Sequence, residues 1–153
     1  MPQIIKSKKL PYSPEKLFDL VADVEKYPEF LPWCGGAKLV KRDEKEIVGT
    51  LVLAKGGLRK SFTTRNICNY PNRMDIALVE GPFKSLNGHW EFKKIDEGCE
   101  VSCCLRFEIP FLLQPILGSV LEYMANTMVE SFARRAAVVY PDNHEVIDIP
   151  PEK

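Results

Sequence analysis

The 153-residue chain has no stretch near the ~20 consecutive apolar residues that span a bilayer, so no transmembrane helix is expected. It has no net charge: 21 Lys+Arg face 21 Asp+Glu. A protein that gains its main affinity by neutralising phosphates, DNA above all, is usually basic, so that class is disfavoured. Only two histidines occur, His89 and His144, far apart in sequence, and the five cysteines form no Cys-x-x-Cys pair. No metal is therefore expected. Gly-x-Ser-x-Gly, a phosphate loop and a dinucleotide fingerprint are all missing, and neither histidine has an evident catalytic partner. No enzyme and no catalytic residue are expected; an acid such as Glu80 is the candidate for proton transfer if any occurs. No apolar leader opens the chain, since Met1-Pro2-Gln3-Ile4-Ile5 runs into Lys6, Lys8 and Lys9. The expectation is a cytoplasmic protein, in which Cys34, Cys68, Cys99, Cys103 and Cys104 act as small hydrophobes rather than disulfides.

What is present is the material of one domain. Hydrophobic residues at 45%, aromatics at 10% and charged residues at 27% exclude disorder, collagen and coiled coil as the main architecture. The balanced charge conceals an asymmetry. Residues 1–73 carry 14 Lys+Arg against 8 Asp+Glu, a net of +6, and residues 74–153 carry 7 against 13, a net of −6. If folding keeps the halves apart, one face meets an anionic surface; if it mixes them, the asymmetry means nothing.

The pattern along the chain predicts an α+β fold. An extended run, Gln3 to Leu10, precedes a helix start written as Ser13-Pro14-Glu15: a capping serine, a proline at the first helical position and an acid in the first turn. Leu17, Leu20, Val21 and Val24 continue at helical spacing, and Pro28 and Pro32 confine the next segment to a short second helix over 23–30. From Gly36 the period changes to two. Ile47, Gly49, Leu51 and Leu53 share a face, as do Leu58, Lys60, Phe62 and Thr64; Met74, Ile76 and Leu78; Leu86, Gly88, Trp90 and Phe92; and Val101, Cys103, Leu105, Phe107 and Ile109. Turns are expected at Asp43-Glu44, Gly56-Gly57, Pro71-Asn72 and Asp96-Glu97-Gly98. A long helix starting near Pro115 and ending at Pro141 then presents Leu113, Leu117, Val120, Met124, Met128 and Phe132 on one stripe, with Glu122, Asn126, Glu130 and Arg134 opposite. The tail 141–153 has no periodicity and is expected to be loose. One helix covering the apolar face of a seven-stranded antiparallel sheet requires the sheet to curl around it, which encloses space.

Four blocks carry a resemblance: Pro11-Tyr12-Ser13-Pro14-Glu15-Lys16-Leu17-Phe18, Val24-Glu25-Lys26-Tyr27-Pro28-Glu29-Phe30-Leu31-Pro32, Lys60-Ser61-Phe62-Thr63-Thr64-Arg65-Asn66, and 81–92 from Gly81-Pro82-Phe83 through Gly88-His89-Trp90 to Phe92. In that order they resemble the coenzyme Q-binding and ribosome-association-toxin branch of the START-like, helix-grip superfamily (polyketide cyclase-like), over 1–140. The resemblance implies a curved sheet gripping the last helix around an apolar tunnel, with non-enzymatic binding of a polyisoprenoid quinone such as ubiquinone in support of respiration, and no further cofactor. For the toxin members it implies instead binding to the large ribosomal subunit, blocking subunit association.

The residues themselves fit a tunnel walled by Phe62, Leu78, Trp90, Phe92, Phe107, Leu117, Val120, Met124 and Met128, which read equally as ordinary core. Pro28, Phe30, Leu31, Pro32 and Trp33 together with Gly81, Pro82 and Phe83 are candidate lids at its mouth, where aromatics also suit a peripheral contact with the inner membrane. Thr64 and Arg65 form a polar pair able to meet a quinone carbonyl or to face solvent. Lys55, Arg59 and Lys60, around the Gly56-Gly57 turn, are the candidate contact to RNA or an anionic surface, or a plain solvated hairpin tip.

Overall fold

The computed structural model describes residues 3–141, and the tail expected to be loose lies beyond them from Asp142 onward. Strands β1 (Gln3–Leu10), β2 (Cys34–Arg42), β3 (Glu46–Lys55), β4 (Leu58–Asn69), β5 (Arg73–Glu80), β6 (Ser85–Ile95) and β7 (Gly98–Glu108) form one antiparallel sheet in the order β1-β7-β6-β5-β4-β3-β2. β2 to β7 follow one another as a meander. β1 lies at the opposite edge, paired with β7 from Gln3↔Arg106 to Leu10↔Cys99. Between β1 and β2 the chain therefore crosses from one edge to the other, through helix α1 (Pro14–Ala22) and a 3-10 turn over Val24–Glu29.

Local chemistry accounts for these elements. The Ser13 side chain accepts the Lys16 N–H at 3.2 Å, and Pro14 occupies the first turn where no intrahelical donor is lost. α1 then buries Leu17, Phe18, Leu20 and Val21. The β3–β4 connection is only Gly56-Gly57, at φ of 59° and 86°; a two-residue hairpin loop of type I′ needs positive φ at both positions, which glycine adopts without strain. The other predicted turns fall where expected, between β2 and β3, β4 and β5, and β6 and β7. Alternation puts Ile47, Leu51, Leu53, Phe62, Leu86, Trp90, Phe92, Val101, Cys103, Leu105 and Phe107 in the interior.

The long helix α2 runs over Ser119–Val139, not from Pro115. Residues Phe111–Leu113 form a 3-10 turn and Gln114–Gly118 a wider π turn. Pro115 stands in the first turn of this π segment, where its missing N–H costs no intrahelical bond, and regular α winding begins only at Ser119. The same change of winding turns Leu113 off the buried stripe, and it is exposed. From Leu117 on the stripe holds: Leu117, Val120, Met124, Met128 and Phe132 are buried, while Glu122, Asn126, Glu130 and Arg134 face solvent. Tyr140 N–H closes the last turn on the Ala136 carbonyl at 2.8 Å, and Pro141 follows. Cys104, placed by alternation on the outer face, is nonetheless buried, beneath the Arg106 guanidinium at 3.9 Å.

Candidate functional site

The space between the sheet and α2 is mostly filled. Phe132 projects from the helix into a ring of aromatics, 5.4 Å from Tyr27, 5.1 Å from Phe30 and 5.2 Å from Trp90 between ring centres, each pair edge to face. Trp90 stacks on Phe92 at 6.1 Å and Phe92 meets Phe18 of α1 at 5.5 Å. This cluster fills much of the interior. Beside it a cavity of about 50 Å³ remains, lined by Tyr27, Trp33, Leu51, Phe62, Thr64, Asn66, Ile76, Leu86, Trp90, Leu105, Met124 and Met128. A water needs roughly 10–15 Å³ of such space, whereas pockets for organic ligands run to about 300–1,000 Å³. In this state the cavity admits a few waters and no quinone.

Its wall carries more polarity than the surrounding core. Thr64 and Asn66 are buried on β4, on the same side as Phe62. Asn66 gives its amide N–H only to the Met74 sulfur, at 3.6 Å, and its carbonyl oxygen has no partner. The indole N–H of Trp33 is also buried without a partner. Tyr27 donates its hydroxyl to the Val21 carbonyl, and burial pushes its phenol above the ordinary range, so it stays neutral. The residues that bear this donor and this acceptor, Trp33 just before β2 and Asn66 on β4, thus line one small, largely apolar cavity.

Of the residues proposed from sequence as tunnel wall, Phe62, Trp90, Met124 and Met128 line this cavity. Phe92, Phe107, Leu117 and Val120 do not; they are buried core contacts, and Leu78, near the end of β5, is half-buried outside it. Among the candidate lids only Trp33 lines the cavity. Phe30 instead lies on Phe132 and under the Arg135 guanidinium, whose carbon is 5.0 Å from the ring centre, with Leu31 buried and Pro28 and Pro32 exposed beside it. The Gly81-Pro82-Phe83 turn closes over the start of β4, its Phe83 ring 5.5 Å from Phe62. Thr64 faces the cavity, but Arg65 does not. Period two sends Arg65 outward, where it pairs with the Glu46 carboxylate, which Lys41 also holds at 2.6 Å. These two cations keep the Glu46 carboxyl below its usual range. Asn66, one residue beyond, takes the place assigned to Arg65. Its signal was present, because any strand that turns Phe62 and Thr64 inward does the same to residue 66.

Lys55 and Lys60 are exposed on the helix-facing side of the β3–β4 hairpin tip, the Lys55 ammonium 4.2 Å from the centre of the Tyr123 ring on α2. Arg59 points to the other side, toward Gly35. Glu80 is exposed and off the cavity. All five cysteines are free thiols, and no cluster of three or more potential metal ligands occurs among the described residues.

A curved antiparallel sheet gripping a C-terminal helix is the START-like fold. A crystal structure of TTHA0849 from Thermus thermophilus superposes with a TM-score of 0.80 over 91% of this chain and 99% of that one, at 19% identity. The family model described as "Polyketide cyclase / dehydrase and lipid transport" matches residues 10–133. The ribosome association toxin RatA of Pseudomonas aeruginosa is 40% identical over 139 residues, 90% of this chain and 96% of that protein. The mitochondrial coenzyme Q-binding protein coq10 of Schizosaccharomyces pombe is 25% identical over 86% and 85% respectively. The chain belongs to this polyketide cyclase and lipid transport family, in its RatA and Coq10 branch.

Proposed function

We propose that the protein is a non-enzymatic binder of a polyisoprenoid quinone, ubiquinone or a close analogue, held between the sheet and α2 and delivered to respiratory electron transport or quinone biosynthesis. The observation that carries this reading is that two residues bearing unpartnered buried polar atoms, Trp33 with its indole N–H and Asn66 with its amide oxygen, line one cavity walled by Phe62, Trp90, Met124 and Met128. Quinone carbonyls accept from such a donor, and a hydroquinone hydroxyl donates to such an acceptor. The tail would add roughly 0.8 kcal/mol for each methylene it buries, before ordering costs. Loading requires the 50 Å³ cavity to widen. Met124 and Met128, unbranched and adjacent on α2, are the side chains that yield most cheaply. The family's description as lipid transport and the coenzyme Q-binding name of one relative support the same reading.

Organic extraction of protein purified under mild conditions, followed by mass spectrometry, tests it. Recovery of a quinone, or saturable uptake of added ubiquinone, is the expected result; neither appearing removes the proposal.

A second reading has its own support. Over residues 34–69, which form β2 to β4, 8 Lys+Arg face 3 Asp+Glu, a net of +5 concentrated at one edge of the sheet. Such an edge suits ribosomal RNA, and relatives at 40% and 37% identity carry the name ribosome association toxin. On this reading the protein binds the large subunit and keeps the subunits apart. Excess protein should then shift sucrose-gradient profiles from joined to free subunits, and an unchanged profile excludes it.

A further inference from the structure

The segment 110–118 between β7 and α2 holds the densest exposed apolar surface among the described residues. Phe111 is 84% exposed, Leu112 87% and Ile116 61%, with Leu113 also open to solvent. Of the other exposed large apolar residues, Ile5, Val40, Ile67 and Val79 are dispersed singly over the strands, Tyr70 lies in the β4–β5 turn, and Val138 and Val139 end α2. Scattered apolar residues are ordinary; four within six positions on one turn are not. Pro110 and Pro115 stiffen that turn, and its 3-10 and π winding is what holds these side chains outward.

Charge stands beside it. Lys55 and Gly56 of the hairpin tip line one surface recess with Ile116, Ser119 and Val120. Lys60 is exposed on the same side of that hairpin, and Lys84 immediately precedes β6, its backbone N–H on the Glu108 carbonyl at 2.8 Å. None of these three lysines is in an ion pair among the described residues, whereas Lys41, Arg65 and Arg73 all are. The acids of this end, Glu80, Glu108 and Glu122, are exposed on the strand ends and on α2 rather than on the hairpin tip. Tyr123, beneath Lys55, adds an amphipathic ring of the kind that settles at a lipid headgroup layer.

We propose that this end of the molecule docks on the surface of an anionic bilayer, with Phe111, Leu112 and Ile116 entering the interface and Lys55, Lys60 and Lys84 meeting headgroup phosphates. No helix among the described residues is long and apolar enough to cross a membrane, so the contact is interfacial. An RNA surface would engage the lysines and leave Phe111 and Leu112 wet; a bilayer satisfies both. The proposal goes beyond quinone binding and holds whichever molecule fills the interior. It also sets the start of α2, which bears Met124, nearest the lipid.

Co-sedimentation of the full chain with phosphatidylcholine vesicles, with and without phosphatidylglycerol, tests it. Trp33 and Trp90 are both buried, so a Phe111→Trp variant supplies an exposed reporter. The expected result is binding that requires phosphatidylglycerol, a blue shift of the Phe111→Trp emission on adding vesicles, and binding weakened about tenfold or more by Leu112→Asp. Lys55→Glu or Lys60→Glu should each weaken it about fivefold or more. Because Leu112 is exposed, Leu112→Asp should melt like the wild type, and that measurement separates loss of docking from loss of fold. Vesicle binding equal in wild type and Leu112→Asp, or no emission shift, overturns the proposal. So does a wild type that ignores vesicles while Leu112→Asp abolishes binding to ribosomal subunits or self-association, since the patch then belongs to that partner.

Discussion

Trp33 and Asn66 carry a cost that the rest of the fold does not offset. Each buries a polar atom without a partner, and a buried unsatisfied group costs about 1–3 kcal/mol. A waiting ligand or a trapped water explains both at once, since both residues line one cavity. Asn66→Val removes the orphaned acceptor and keeps a strand-compatible shape. Its stability in urea is expected to equal or exceed that of the wild type by up to about 1 kcal/mol. Uptake of the hydroquinone form, ubiquinol, whose hydroxyl donates to that acceptor, should meanwhile fall about fivefold or more, the worth of one lost hydrogen bond. A variant that is both unchanged in uptake and strongly destabilised would make Asn66 a structural residue only. The cysteines give a second test at this scale. Burial pushes the Cys99 thiol up to about 11 and raises Cys103 further in the same direction. A folded-state pKa above the unfolded one means that the proton is held by folding. The contribution is complete below about pH 9 and is lost as pH rises toward 11. The urea midpoint should therefore drop between pH 8.5 and 10.5 in the wild type, and drop less in Cys99→Ala. At pH 8 a thiol reagent should label half-buried Cys68 first, with all five reacting only on unfolding.

At the scale of elements, the strands were legible because each hairpin is written twice, in the alternation of its strands and in the residues of its turn. Gly56-Gly57 and Asp96-Glu97-Gly98 mark the chain reversals independently of any tertiary contact. The capping serine and first-turn proline did the same for α1. The start of α2 was not legible, because spacing alone cannot distinguish α winding from π winding, and Leu113 and Ile116 fit an apolar stripe only if the turn is α-helical. Position 88 shows a constraint of another kind. Gly88 on β6 occupies an inward slot where every alternate neighbour is large, and a Cβ there would lie 2.0 Å from the Cys104 carbonyl oxygen and 3.0 Å from the Leu105 side chain. β6 and β7 approach too closely at that point for any side chain, which is how a bend enters a sheet at glycine. Gly88→Ala must separate the strands. A loss of about 3 kcal/mol or more in urea unfolding is expected, near the upper end for overpacking because the clash is with backbone. A loss below about 1 kcal/mol would mean that the strands part freely there.

For the whole molecule, the charge asymmetry of the sequence survives folding only in part. The meander keeps β2, β3 and β4 together as a basic edge, but β1, with Lys6, Lys8 and Lys9, is carried to the far edge beside β7. That crossover could not be read from charge counts, and it leaves one anion-facing edge rather than one anion-facing half. The hollow interior was legible in principle and misjudged in extent. One helix under a seven-stranded sheet does leave a gap, yet Phe132 with Tyr27, Phe30 and Trp90 fills most of it, an outcome set by side-chain directions that periodicity does not give. Lys55 and Lys60 belong both to the basic edge and to the docking surface, but the interior, the outer side of that edge and the apolar turn at 110–118 occupy separate places, so each of these can be altered alone. Met128→Phe adds bulk into a cavity of about 50 Å³. It should suppress quinone uptake while leaving subunit profiles and vesicle binding unchanged. Arg59→Glu, on the outer side of the hairpin, should affect only the subunit profile, and Leu112→Asp only vesicle binding. Sites more than about 10 Å apart with no shared partner act additively, so the double variant of Met128→Phe and Leu112→Asp should show the sum of the two losses. If Met128→Phe instead weakens vesicle binding as much as Leu112→Asp does, filling the cavity must displace the start of α2, and the interior and the apolar turn would then be two faces of one moving element.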